Sequence, residues 1–314
     1  LFDADSVSPH PSGMTQNEIY TADVTNVTRN FTFKAKQDDC LQAVLDHPCG
    51  GIIAPTGFGK MVIIVMIALV YPKARIHVIT QRIRLVRKIV EYLSRYIPDV
   101  GQVGDGVYKE GRRVTVFSAK SLHKRKYDAD IILADEGHEI VACESAKAIA
   151  RYQRSRNFYL TATPQGRGDG ADVRLEGLFG PPIFEMYYPE AQALGLVVPI
   201  CVNWHVTDHI GDPADGVADD TERRRRGLWY NNQRNDIVAG VMRRLPDSEQ
   251  KLILVDTIHH AVELHRRLRG CNFSLAYDSI ELQREARLKS KGLLPEDQPK
   301  MTPAYKEHLR LKFE

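Results

Sequence analysis

At 314 residues the chain has room for two domains of ordinary size. Hydrophobic residues at 43% and charged residues at 26% are a normal globular balance, which excludes a disordered chain. With 43 Lys and Arg against 40 Asp and Glu the net charge is only +3, so any grip on a polyanion must come from a local basic stripe rather than from overall basicity.

The chain begins at Leu1, which reads as a fragment or a trimmed product. Residues 1–32 are rich in Ser, Thr, Asn, Asp and Pro and read as an irregular lead-in with room for one strand. From about residue 50 short β-rich runs alternate with helical stretches. The runs are Gly51–Ala54, Ile76–Thr80, Val114–Ser118, Ile131–Asp135 and Tyr159–Thr163. Between them Ile83, Val86, Ile89, Val90, Leu93 and Ile97 recur at helical spacing, predicting a helix over Ile83–Ile97. Such alternation implies an α/β fold with a parallel sheet covered on both faces, and ligands then collect beyond the carboxyl ends of the strands.

Gly180-Pro181-Pro182 and Gly195 mark a crossing between domains. A strand at Val197–His205, a Gly- and Asp-rich loop at 208–220 and a helix from Thr221 to about Arg244 are expected next. A second α/β series follows: strand Leu252–Asp256, helix Ile258–Leu268, strand Phe273–Tyr277 and helix Ile280–Lys289. The division expected is a lead-in over 1–32, a first domain over 33–185 and a second over 186–314.

Cys40, Cys49, Cys143, Cys201 and Cys271 are scattered and form no C-x-x-C pair, so neither a disulfide framework nor a zinc ribbon is expected, and a reducing cytoplasm fits best. No run of about 18 apolar residues predicts a membrane span. His259, His260 and His265 read as surface histidines.

Three segments carry chemistry. Ala54-Pro55-Thr56-Gly57-Phe58-Gly59-Lys60-Met61 follows an apolar strand and opens a helix, the setting a phosphate-binding loop requires. Its glycines let the backbone bend toward phosphates, the helix-start N–H groups bind the anion, and Lys60 reaches the terminal phosphates. ATP is the expected ligand. Met61 stands where Ser or Thr normally ligates magnesium, and a thioether is a poor partner for a hard cation. Ile131-Ile132-Leu133-Ala134-Asp135-Glu136-Gly137-His138 delivers two adjacent carboxylates at a strand end. Asp135 is assigned to hold Mg2+ and Glu136 to orient and deprotonate the attacking water. Thr161-Ala162-Thr163-Pro164 lies at another strand end.

In this order and spacing the segments resemble a superfamily 2 helicase of the DEAD/DEAH-box type, over roughly residues 33 to 290. The resemblance implies two RecA-like domains, the second only partly present. It makes Asp135-Glu136-Gly137-His138 motif II and Thr161-Ala162-Thr163 motif III, which couples hydrolysis to strand movement. Gln37 would read adenine. Val78-Ile79-Thr80-Gln81-Arg82 resembles motif Ia, and Val114–Ser118 with Ser121-Leu122 resembles motif Ib. These place Gln81, Arg82, Ser118 and Ser121 against a sugar-phosphate backbone. Leu252–Thr257 resembles motif IV. The texture is closest to phage-encoded and restriction-subunit-like DNA helicases, so the partner expected is nucleic acid, DNA over RNA.

Basic clusters stand at Arg82, Arg84, Arg87 and Lys88, at Lys120, Lys124, Arg125 and Lys126, and at Arg223–Arg226, the last followed by Trp229 and Tyr230. Such clusters give sequence-independent, salt-sensitive affinity. No segment after Lys289 matches motifs V or VI, where the family keeps its arginine finger. Three readings follow: an ATP-dependent helicase or translocase, a non-catalytic ATP-binding module, or the motor subunit of a restriction or repair nuclease.

Overall fold

The computed structural model describes residues 13–124, 127–141, 143–152, 155–163, 171–206, 211–277, 282–292, 294 and 298–313. The expectations for Leu1, Arg125, Lys126, Pro164, Ile280 and the first part of the 208–220 loop lie outside them. The chain divides into two compact units, Leu1–Ile200 and Cys201–Glu314.

The first unit is built on an eight-stranded sheet of β1 (Gly50–Ile53), β2 (Ile76–Thr80), β3 (Gly101–Gly104), β4 (Val107–Lys109), β5 (Val114–Ser118), β6 (Ile131–Asp135), β7 (Arg156–Thr161) and β8 (Pro182–Glu185). Their spatial order is β4-β3-β5-β2-β6-β7-β1-β8. All pairs are parallel except the β3–β4 hairpin. The β-rich runs read from sequence are therefore its central strands. The hairpin and β8 were not foreseen, although Asp105-Gly106, both at positive φ (53° and 78°), is the dipeptide a tight hairpin turn favours.

Successive side chains of a strand point to opposite faces, and the core divides accordingly. Val78, Val116, Leu133, Phe158 and Leu160 pack into one buried cluster with α3 (Gln37–Asp46), α4 (Lys60–Val70) and α5 (Ile83–Leu93). Ile79, Phe117, Ile132, Ala134 and Tyr159 pack into the other. That second cluster also takes Ile140 of α6 (Gly137–Ile140), Ile149 of α7 (Cys143–Ile149), and Leu175 and Phe179 of α8 (Ala171–Phe179). Helix α5 buries Val86, Ile89 and Leu93 and stops there, short of the predicted Ile97. Arg113 closes the end of α4 by donating to the carbonyls of Ala68 (2.9 Å) and Tyr71 (3.0 Å), acceptors that a helix terminus leaves unsatisfied.

The described part of the lead-in is not irregular. It forms two helical turns, α1 (Gln16–Ile19), capped reciprocally by Thr15 and Glu18, and α2 (Thr25–Thr28). Ile19 and Val27 are buried in the first cluster. The Tyr20 hydroxyl donates to the Asp130 carbonyl at 2.8 Å, and the Arg156 guanidinium lies 4.1 Å from the Tyr20 ring centroid. The unit closes with α9 (Tyr188–Ala193) beyond β8.

In the second unit no strand forms among the described residues. Cys201–His205, Leu252–Asp256 and Phe273–Tyr277, expected in strands, join no sheet, and Trp204, Leu252 and Leu254 are exposed. Extended segments become strands only when a neighbour satisfies their N–H and C=O groups. The single helix expected over 221–244 is two: α10 (Asp220–Arg224), continued by a π turn over Arg225–Trp229, and α11 (Asn232–Arg244). Asn231 separates them because its side chain caps α11, accepting from Arg234 N at 3.0 Å. Helices α12 (Ile258–Arg267), α13 (Leu282–Ser290) and α14 (Pro303–Phe313) follow. His260 is buried rather than on the surface, with Nε2 3.0 Å from Asn235 Oδ1.

Candidate nucleotide and nucleic-acid site

Strand register gathers the three chemical segments. Thr80 pairs with both Ser118 and Asp135, Asp135 with Leu160, and Ile53 with Thr161. The carboxyl ends of β1, β2, β5, β6 and β7 thus lie side by side on one edge of the sheet, and each segment begins there.

The phosphate-binding loop leaves β1 at Ala54, whose N–H donates to the Thr161 carbonyl at 2.9 Å. Phe58, fully buried and stacked on Phe184 at 5.4 Å, anchors its middle. Gly57 (φ 101°) and Gly59 (φ 95°) take a left-handed conformation that side chains strain to adopt. A Cβ on Gly59 would also stand 2.7 Å from Gln37 Nε2. Lys60 opens α4 and folds back, donating from Nζ to the Ala54 carbonyl at 3.0 Å. Burial lowers its pKa, against the pull of Glu136 and Asp135. The next side chain, Met61, is half-buried against the first hydrophobic cluster.

Asp135 ends β6 and is nearly buried, and its pKa is pushed up to about 6 by that burial first and by the Glu136 charge second, with Lys60 opposing. Glu136 holds a left-handed conformation (φ 51°), uncommon for a residue with a side chain, and caps α6. The Thr161 hydroxyl joins the segments: it donates to Glu136 Oε2 (3.3 Å), meets His138 Nδ1 (2.7 Å) and accepts from Thr163 N (3.1 Å). Ala162, between them, is half-buried.

The Gly of Asp135-Glu136-Gly137-His138 has a packing cause. A Cβ on Gly137 would stand 2.6 Å from Tyr159 Cβ, and one on Gly51, the β1 partner of Tyr159, 2.1 Å from the Tyr159 ring. The buried Tyr159 occupies the space on both sides. No spacing in the sequence signals this; it follows from register.

The fit to ATP and magnesium is uneven. The glycine cradle and Lys60 suit an anionic phosphate chain. Asp135 and Glu136 offer hard oxygen donors with one lysine between them, leaving excess negative charge that suits a divalent cation. Among the described residues no group of three or more His, Cys, Asp or Glu could hold a metal alone, so water and nucleotide would complete its shell. The Met61 sulfur does not fit a hard cation.

Gln37 is buried. Its amide donates to the Phe58 carbonyl at 2.8 Å and accepts from Lys34 N at 3.0 Å, which ties it to the phosphate loop. Of the four residues expected on a nucleic-acid backbone, Ser118 and Ser121 are buried, and the Ser118 hydroxyl has no partner. Gln81 is half-buried, with its side-chain oxygen inward and unpartnered. Arg82 alone reaches outward, and it forms a two-pronged ion pair with Glu139, Nη2 to Oε1 at 2.6 Å and Nε to Oε2 at 3.2 Å. No motif marks Glu139 as the partner of Arg82; one turn of α6 brings it there. In the second unit Arg225 and Arg226 both pair with Glu222, and Trp229 is half-buried.

Residues 30–166 match the protein family described as type III restriction enzyme, res subunit. Among solved structures, the UvsW helicase from bacteriophage T4 resembles the chain at 16% identity and a TM-score of 0.41, over 48% of this chain and 60% of that one. The Hef helicase domain of Pyrococcus furiosus does so at 17% identity and 0.43, over 55% and 41%. The type ISP restriction-modification enzyme LlaGI, a nuclease-deletion mutant in complex with a DNA substrate mimic, does so at 16% and 0.43, over 52% and 18%. The chain thus spans less than two thirds of the length of each. No curated protein matches it. No helix among the described residues is long and apolar enough to cross a membrane.

Proposed function

We propose, from the match of residues 30–166 to the type III restriction enzyme res-subunit family and the resemblance of the motifs to superfamily 2 helicases, that the protein is an ATP-driven motor that moves along or unwinds nucleic acid, DNA rather than RNA, in the cytoplasm. The observation that carries this reading is the register that sets Lys60, Asp135, Glu136 and Thr161 along one sheet edge. Residues 33–185 are the ATP-binding RecA-like domain in this reading, and residues 186–314 contribute part of a second.

Each side chain has a role that its position allows. The loop Pro55–Met61 and Lys60 hold the phosphates, Lys60 exchanging the Ala54 carbonyl for a phosphate oxygen. Gln37, expected to read adenine, is instead buried beside the loop and stiffens it through Phe58. Asp135 would hold magnesium, which when bound supplies charge neutralisation on the transferring phosphate. Glu136 accepts the proton of the attacking water. Thr161 and His138 keep the Glu136 carboxylate aimed, and Ala162 and Thr163 carry the same strand end toward the surface. Arg82, the exposed one of the four residues expected on a strand, forms the nucleic-acid side, while the buried Ser118 and Ser121 hold the neighbouring end of β5 and the turn after it.

A second reading, a module that binds ATP without turning it over, draws on Met61, which lies half-buried against the first hydrophobic cluster and offers no oxygen to a metal. Steady-state ATPase of the chain with and without single-stranded DNA or RNA separates the two. Stimulation by DNA beyond that by RNA is expected. ATP binding with no hydrolysis under any of these conditions would favour the module, and absence of ATP binding would remove both.

A further inference from the structure

We propose that Glu139 is a placeholder for a strand phosphate on Arg82, so that nucleic-acid binding exchanges one anion for the other and breaks the Arg82–Glu139 tie beside the Asp135-Glu136 pair. The inference rests on the motor reading and deepens it by naming a positioning residue.

Three observations carry it. First, the contact is two-pronged, the geometry that a phosphodiester reproduces with its two unesterified oxygens. Second, it is lopsided: the Arg82 side chain is 66% exposed while that of Glu139 is 24% exposed. An arginine so open to water adds little stability through its ion pair, and a strand can approach it without unfolding anything. Third, the two ends belong to different segments. Arg82 follows β2 and stands outward from its end. Glu139 lies in the four-residue α6, and its N–H donates to the Glu136 carbonyl at 2.8 Å. Any shift of Glu139 therefore pulls on the peptide that carries Glu136, and through His138 on Thr161.

When a phosphate takes Arg82, the half-buried Glu139 carboxylate loses that counter-charge on the same edge as Asp135 and Glu136, and like charges there repel. The arrangement gives strand occupancy a route to the nucleotide side along the short segment that joins Glu139 to Glu136.

The test is binding of a fluorescent single-stranded oligonucleotide to the whole chain by anisotropy across a salt series, for the unaltered protein and for E139Q, R82A and the double variant, with thermal melts alongside. E139Q frees Arg82 and is expected to tighten binding about 3- to 10-fold. R82A is expected to weaken it and lower the salt slope by about one. In the R82A background E139Q should change nothing. Where the chain hydrolyses ATP, E139Q should also narrow the gap between rates with and without strand. Unchanged affinity in E139Q, or the same tightening with Arg82 absent, overturns the inference while leaving the motor reading standing. No binding of any oligonucleotide by the unaltered chain overturns both. E139D, which keeps the charge on a shorter arm, should stay close to the unaltered protein and guards against misfolding as the cause.

Discussion

His138 Nδ1 lies 2.7 Å from the Thr161 hydroxyl, joining the segment after β6 to the end of β7. The same hydroxyl donates to Glu136 Oε2 and accepts from Thr163 N. One hydroxyl has one proton to give and two lone pairs. With its proton toward Glu136, both lone pairs are filled when His138 carries its hydrogen on Nδ1. The three contacts use the full capacity of the group, and they converge on the carboxylate proposed as the base.

Removing that hydroxyl should act on the chemical step rather than on nucleotide capture. T161V is expected to lower kcat about 10-fold with KM for ATP nearly unchanged, the pattern of an interaction realised in the transition state. T161S should retain most of the rate. Steady-state kinetics on both variants decide it; a T161V loss confined to KM would place Thr161 in binding instead.

Met61 sets up an opposition between packing and metal binding. M61T offers a hydroxyl to magnesium but withdraws a half-buried side chain from the first hydrophobic cluster. We expect magnesium-dependent ATP affinity to rise severalfold by calorimetry, with a stability loss of about 1–2 kcal/mol. Equal turnover by the unaltered protein and the M61T variant would dispose of the module reading.

Gly137 tests a sign. Helix propensity favours Ala over Gly by about 1 kcal/mol, but here the added methyl meets Tyr159 Cβ at 2.6 Å, an atom no rotamer change can move. Overpacking of this kind costs about 1–3 kcal/mol. G137A should therefore lower stability in urea unfolding, and a neutral or stabilising result would show that β7 yields easily.

His77 gives the fold a predictable acid response. It is buried, with Nδ1 3.0 Å from the Tyr152 hydroxyl, and burial, aided by the charge of Arg75, pushes its pKa down to about 3. A lowered folded-state pKa means that the unfolded chain takes up the proton first. The stabilising contribution is complete above about pH 6.5 and is lost as pH falls toward 3; at pH 5 the loss is about 2 kcal/mol. H77F leaves the Tyr152 hydroxyl without this partner, so it starts lower at pH 8, yet its stability should fall less steeply between pH 6.5 and 4. Parallel pH profiles would refute the assignment.

The sequence made the central strands legible because buried parallel strands are nearly continuous apolar runs, and each ended in a segment whose residue types have a chemical reason to be there. It hid the edges. β3 carries Gly101 and Gly104 in place of an apolar run, β4 is only three residues long, and β8 begins at Pro182. The lead-in was misread because its buried residues are few: Ile19 and Val27 enter the core from short helical turns that show no periodicity. In the second unit alternating apolar residues predict strands that do not form among the described residues, because pairing depends on a neighbour that local pattern does not reveal.

For the site itself, sequence alone determined the chemistry on offer: a glycine-lysine loop, two adjacent carboxylates and a Thr-Ala-Thr segment, each attached to the end of an apolar run. Only tertiary structure decided which side chains meet. Parallel register aligned Ile53 with Thr161 and Thr80 with Asp135, brought Glu139 to Arg82, drew Gln37 beneath the loop and wedged Tyr159 between Gly51 and Gly137. Those meetings join residues from about 20 to more than 100 positions apart, and their geometry is set by strand order and pleat rather than by local spacing.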